Sequence, residues 1–110
     1  MFEEVVAEVM EAGDDDLTKR FRELEMVRRR TEAEMAAIVR EGERRGIHTV
    51  DGHRNVRNWV RSQVNCSTGD ASRLRRLAVA CDTVQGIGDS LLAGYIGVAQ
   101  AHELARLATH

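Results

Sequence analysis

The sequence of 110 residues contains no proline. Proline is the residue that most reliably ends or bends a helix, because its ring fixes φ and removes the backbone N–H donor. Charged residues make up 31% of the chain and are mostly arginine and glutamate, which are good helix formers. The sequence therefore predicts an all-α fold of about five or six helices, with residues 1–110 forming one helical domain.

The N-terminal part of the chain shows the apolar spacing of helices. We expect residues 1–16 to form a short helix and an acidic turn, and residues 17–46 to form a long helix that ends at Gly46. A helix of that length extends beyond a small core, so it either bends near Thr31 or pairs with a second chain. The second alternative predicts a homodimer interface on the apolar stripe of this helix, which comprises Leu17, Phe21, Leu24, Met35 and Ile38.

Residues 54–110 have the layout of a helix-turn-helix unit. A helix over residues 55–64 is followed by Asn65, which tolerates the left-handed conformation, and then by Ser67, a good N-cap for a helix over residues 68–83. In a helix-turn-helix protein, the N-terminal residues of the second helix enter the major groove of DNA. This layout favours a DNA-binding corner between the two helices.

Six arginines lie between Asp51 and Leu77, in a chain whose formal net charge is −2. A net-acidic domain can still bind a polyanion when its basic residues gather on one face, and a helical wheel directs Arg76 away from the apolar face of its helix. The alternative is a helical oligomerisation or protein-interaction module, in which the arginines are solvated or pair with acidic residues of a partner. We predict duplex DNA as the partner, contacted by Arg54, Arg57, Arg61, Ser67, Thr68, Ser72, Arg73 and Arg76.

Candidate metal-binding and catalytic residues are few. His48 and His53 flank Asp51 in a loop, but this spacing is not typical of a zinc site, and solvated turn histidines are the favoured interpretation. Cys66 and His102 could act as nucleophile and base only if the fold brought them together, and a core cysteine with a surface histidine is favoured. We predict no bound metal, no cofactor and no enzymatic activity.

Composition and cysteine content indicate the compartment and the type of core. The chain has two cysteines, Cys66 and Cys81, which fits buried free thiols in a reducing environment. No basic leader precedes the first helix, and no apolar run approaches the roughly 18 residues that span a bilayer. We therefore expect a cytoplasmic protein without a membrane partner. Because aromatic residues are scarce, the core must be aliphatic, with Trp59 as its expected anchor.

A series of short motifs runs in a fixed order from Leu17 to Leu107. In this order and spacing they resemble the N-terminal domain of the 13E12-repeat family of actinobacteria. The segment "LLAGYIGVAQAHELARL" is also similar to the end of a ParB-type helix-turn-helix domain, where a Gly-x-Ile step precedes an Ala-His pair. The motifs that carry the first resemblance are Arg44-Arg45-Gly46, Asp51-Gly52-His53, Trp59, Ser67 with its arginine-rich helix, Leu92-Ala93-Gly94 and Ala101-His102.

The resemblance implies an all-helical domain, linked with mobile elements, that in many relatives precedes an HNH nuclease domain. It favours DNA as the partner and adds a separate nuclease or another protein as a candidate partner. The His and Asn cluster of an HNH nuclease has no counterpart in the 110 residues, so we expect this chain not to cut DNA. Relatives usually carry a proline near Val84 to Asp89, where this chain reads "VQGIGD", and a truncated or remnant gene product is an open alternative.

Overall fold

The fold was analysed in a computed structural model, which describes residues 1–109. The prediction of an all-α fold is confirmed. Of the helices in the described part of the chain, none combines the length and the apolar character that crossing a bilayer requires. Within residues 1–109 there are seven helices: α1 Phe2–Glu11, α2 Asp14–Arg45, α3 Ile47–Val50, α4 Val56–Val64, α5 Thr68–Thr83, α6 Ile87–Ala93 and α7 Val98–Ala108.

The long helix α2 is continuous over 32 residues and is not interrupted at Thr31, where a bend was one of the two alternatives for accommodating its length. It begins at Asp14, three residues before the predicted start, and its first turn carries three aspartates. Their carboxylates stabilise the positive end of the helix dipole without a side-chain cap. At the other end, Gly46 adopts the predicted left-handed conformation, with φ of 71°.

The seven helices within residues 1–109 exceed the five or six that were predicted, because residues 47–50 form the short helix α3 where the sequence indicated a loop. Gly42 explains how α3 packs back against α2. A Cβ atom at position 42 would lie 2.9 Å from Cγ2 of Ile47, which is closer than real Cβ atoms approach. The buried glycine in α2 therefore leaves the space that the Ile47 side chain occupies.

Helices α4 and α5 lie close to the bounds that the sequence predicted for them. Asn65 ends α4 with φ of 52°, and only three residues separate α4 from α5. The hydroxyl of Ser67 accepts a hydrogen bond of 3.0 Å from the backbone N–H of Asp70, as expected for an N-cap. At the start of α4, Asn55 caps the helix in the same way.

Helix α5 is the centre of the core and packs against α2, α4, α6 and α7. Its buried residues are small or aliphatic, namely Ala71, Leu74, Leu77, Ala78 and Ala80. Leu77 and Leu91 are the largest side chains that are fully buried. Trp59 was predicted to anchor the core but lies at its edge, half-buried, because its Nε1 donates a hydrogen bond of 2.9 Å to the Asp51 carboxylate.

The N-terminal arm, which we define as residues 2–25, lies outside this core. Helix α1 buries no residue, and the buried residues of α2 are confined to its C-terminal half, at Ala36, Val39 and Gly42. The first described hydrogen bond between α2 and the C-terminal half of the chain, of 2.6 Å, is donated by Arg29 to the carbonyl oxygen of Gly94. The arm therefore projects from the helical body that α3 to α7 form with the rest of α2.

Neighbouring leucines in α6 allow a matched test of this core. Leu91 is 0% exposed and Leu92 is 48% exposed. We expect Leu91→Ala to lower the free energy of unfolding by about 2 to 5 kcal/mol, because it removes buried methyl groups and leaves a cavity. Leu92→Ala should lower it by less than about 1 kcal/mol. Urea denaturation followed by circular dichroism measures both, and equal losses would contradict the position of α6.

Candidate nucleic-acid interface

Three of the predicted DNA-contacting arginines belong to α4 and its N-terminal flank. Arg54, Arg57 and Arg61 are exposed, and Arg57 and Arg61 lie one helical turn apart. Val56 and Val60 face the core, which fixes the orientation of the helix. Among the residues that the structure describes, none of the three arginines has an ion-pair partner. Their guanidinium groups are available to an anion from solution.

The first turn of α5 lies directly after the three-residue turn and is open to solvent. Ser67 and Thr68 are exposed, whereas Ser72 is half-buried. Arg73 is exposed but forms an ion pair with Asp70 in the same turn. Arg73 would have to exchange this carboxylate for a phosphate, so it is less available than the arginines of α4.

The helical wheel placed Arg76 away from the apolar face of α5, on its solvent side, but the side chain is only partly exposed. Its side chain is half-buried at a groove of about 680 Å³ that runs between α2, α5 and α7. The helical wheel failed here because α5 is covered on several sides, whereas the wheel assumes one apolar and one solvated face. We call the groove between α2, α5 and α7 the arginine groove. Its charged and polar lining consists of Arg28, Glu32, Asp70, Arg73, Arg76, His102, Glu103 and Arg106.

The neighbouring arginine of α5 is held by α2. Arg75 Nε and Nη2 each donate a hydrogen bond of 3.1 Å to the Glu43 carboxylate, across 32 residues of sequence. This bidentate pairing lowers the pKa of Glu43 below its ordinary value of 4.5. Arg75 therefore fixes α5 against α2 and is not part of the open basic surface.

Two half-buried residues of the arginine groove, His102 and Glu32, were not recognised in the sequence as partners. The Nε2 atom of His102 lies 3.0 Å from Oε1 of Glu32, and this contact joins α7 to α2. The prediction of a surface histidine at position 102 is wrong. Cys66 lines the same groove, but the hydrogen bonds found within residues 1–109 do not connect it with His102. No signal in the sequence relates residues 70 positions apart, so only the fold reveals this pair.

The other candidate residues have separate positions. Asp51 accepts the hydrogen bond from Trp59, so it stabilises the start of α4 instead of completing a set with His48 and His53. In the part of the chain that the structure describes, no group of three or more His, Cys, Asp or Glu side chains could hold a metal ion. Cys66 and Cys81 are free and half-buried, and burial raises the pKa of the Cys81 thiol.

The five residues of the predicted dimer interface divide between the arm and the body. Leu17, Phe21 and Leu24 are exposed on the arm, with Phe21 77% exposed. Ile38 is 53% exposed on the body, beside an apolar cleft between α2 and α4. Met35 packs against the core of its own chain. A continuous apolar surface is therefore available on the arm but not along the whole of α2.

The ion pair between Glu43 and Arg75 predicts a pH dependence of stability. Because the folded-state pKa of Glu43 is lowered, the pair stabilises the fold at pH above about 4.5, and this stabilisation is lost as the pH falls through the lower folded-state value. Glu43→Gln should cost less than about 1 kcal/mol at neutral pH, since Arg75 is partly exposed. Below the folded-state pKa, the variant and the wild type should converge.

Denaturant unfolding at several pH values measures this difference. Glu34→Gln is the matched control, because the exposed Glu34 side chain has no ion-pair partner among the described residues and should give a constant difference. A Glu43→Gln effect that does not change with pH would show that the pair does not contribute through the charge of Glu43.

Comparison with protein families gives one finding that bears on this surface. Residues 18–110 match the model of a family described as "Domain of unknown function (DUF222)". The matched region extends from the beginning of α2 through α7 and includes the corner between α4 and α5. The search of curated proteins and the search of solved structures found no significant match.

Proposed function

This chain belongs to the DUF222 family, whose description assigns no function, and we propose that it binds duplex DNA without catalysing a reaction. The observation that carries the proposal is the pairing of an open first turn of α5 with three exposed arginines on α4, none of which has an ion-pair partner within residues 1–109. The resemblance of the sequence to 13E12-repeat and ParB-type helix-turn-helix proteins supports the same function. A cytoplasmic location, favoured by the free thiols, is part of the proposal.

Two elements contribute to the proposed interface in different ways. Arg54, Arg57 and Arg61 bind phosphates and release counterions, which supplies most of the affinity. Ser67 and Thr68, at the open end of α5, supply contacts to bases or to the backbone. Only the first turn of α5 takes part, because the exposed arginines that follow it, Arg73 and Arg75, are paired with Asp70 and Glu43.

Fluorescence anisotropy of a labelled mixed-sequence duplex tests this function. Three phosphate contacts should weaken binding about 40-fold between about 50 and about 200 mM salt, and Arg57→Ala or Arg61→Ala should each reduce the slope of log K against log salt by about one. The absence of binding by the folded chain at low salt would contradict the proposal.

Two further variants locate the surface. Arg44→Ala is the matched control, since Arg44 is exposed but paired with Glu41 at the end of α2, and it should leave DNA affinity unchanged. Arg73→Ala should weaken binding less than Arg57→Ala, because Arg73 is already neutralised by Asp70. Equal losses from all three substitutions would indicate a diffuse charge effect and not the proposed face.

A second candidate function is a helical interaction module, favoured by the exposed apolar side chains of the arm. In this case Phe21→Asp or Leu24→Asp should abolish an association with protein, while the substitutions at Arg57 and Arg61 have no effect on it. Size-exclusion chromatography with light scattering measures this outcome. The two candidates use different surfaces and are compatible within one chain.

A further inference from the structure

The N-terminal arm carries an apolar surface that the described part of the chain does not cover. On α1, Phe2 and Met10 are 73% and 79% exposed, and on α2, Phe21 and Leu24 are 77% and 49% exposed. The apolar residues of each helix recur at helical spacing, so they form a stripe and are not scattered. Contiguous apolar stripes of this kind mark surfaces that bind another protein.

The exposed area of the chain shows whether enough surface is available for a stable interface. The accessible surface is 8040 Å², whereas a compact monomer of this mass exposes about 6,100 Å². The radius of gyration is 16.6 Å, against about 13 Å for a compact domain of this length. A stable interface buries about 800 Å² on each partner. The excess area of one chain is therefore larger than a stable interface needs.

The charges of the arm indicate which partner fits. Residues 2–18 contain seven acidic residues and no basic residue, and we call them the acidic block. Residues 19–22 of the arm contain three basic residues and no acidic residue, and we call them the basic block. The acidic block spans α1 and the start of α2, and the basic block follows it on α2. A partner that matches both blocks places basic residues opposite the acidic block and acidic residues opposite the basic block. A second copy of this arm does so when it lies antiparallel to the first.

We propose that two copies of this chain associate through their N-terminal arms in an antiparallel, two-fold symmetric arrangement. The apolar stripes of the two arms cover each other, and the acidic block of each copy faces the basic block of the other. A parallel arrangement would place like charges opposite one another, which is unfavourable. The contact is isologous, so it closes at the dimer. The proposal specifies the partner for the interaction-module candidate and does not depend on DNA binding.

Analytical ultracentrifugation of the full chain, with charge-reversed variants, tests the proposal. The reversals are chosen at residues without ion-pair partners in the described part of the chain, so that they do not break contacts within one copy. Glu8→Lys with Glu11→Lys reverses charge in the acidic block, and Lys19→Glu with Arg22→Glu reverses charge in the basic block. We expect the wild type to dimerise below about 100 µM, and each double reversal to weaken dimerisation about tenfold or more at low salt.

Combining all four substitutions in one chain is the decisive variant. When residue 15 lies near the two-fold axis of the antiparallel arrangement, positions 8 and 11 of one copy face positions 22 and 19 of the other. The combined variant exchanges the signs within these facing pairs, so dimerisation should return towards the wild-type affinity. In a parallel arrangement each double reversal would lower the repulsion between like-charged blocks, so it would strengthen dimerisation instead of weakening it. Circular dichroism of every variant verifies that the helices form.

Three results would overturn the proposal. If the wild type stays monomeric at about 100 µM, the apolar stripe must be covered by packing of α1 against α2 in the same chain or by a different protein. Dimerisation that is insensitive to the double reversals, or that is not restored by the combined variant, would exclude the charge-matched antiparallel arrangement. Arg57→Glu with Arg61→Glu is the matched control outside the arm. It should leave dimerisation unchanged while it removes DNA binding, so the two proposals fail independently.

Discussion

The burial of α5 among four other helices is the interaction on which the rest of the structure depends. This helix presents small residues, among them Ala71, Ala78 and Ala80, at positions where neighbouring helices pack closely. On α7, Ala101 and Ala105 are likewise fully buried. Small side chains allow helix axes to approach, so a chain with very few aromatic residues can still form a closely packed core.

The central position of α5 limits what the helix-turn-helix corner can do. A recognition helix that stands free of its domain can place much of its length in a groove of DNA, whereas α5 packs against four other helices and its exposed Arg73 is paired with Asp70. Arg75 is bound to Glu43, and Arg76 lies in the arginine groove. The open basic surface is therefore provided by α4, with Arg57 and Arg61, and the proposed DNA interface depends more on α4 than on the second helix of the corner.

The length of α2 has a different consequence. A helix of 32 residues is about 48 Å long, which exceeds the core that the other helices provide. Its C-terminal half is stabilised by packing, at Ala36 and Val39, while its N-terminal half carries apolar side chains into solvent. An isolated amphipathic helix gains little stability from propensity alone. Association of the arms would give this half of α2 the packing that the body gives to the other half.

Local signals in the sequence were sufficient to predict the all-α class, the long second helix and the corner between α4 and α5. Gly46, Asn65 and Ser67 determine where helices end and begin, since their conformational preference or capping hydroxyl acts within a few residues. The short helix α3 shows the limit of such signals. It depends on the absence of a side chain at Gly42, which matters only once Ile47 packs against it.

The sequence by itself determined the elements and the exposed arginines of α4, because helix periodicity places Arg57 and Arg61 away from Val56 and Val60. Only the tertiary structure decided which arginines of α5 remain available. Arg75 and Arg76 are adjacent in sequence, yet one binds Glu43 of α2 and the other lines the arginine groove. The contact between His102 and Glu32 has the same origin. Such contacts depend on how helices distant in sequence cross, and helical periodicity within one segment carries no information about those crossings.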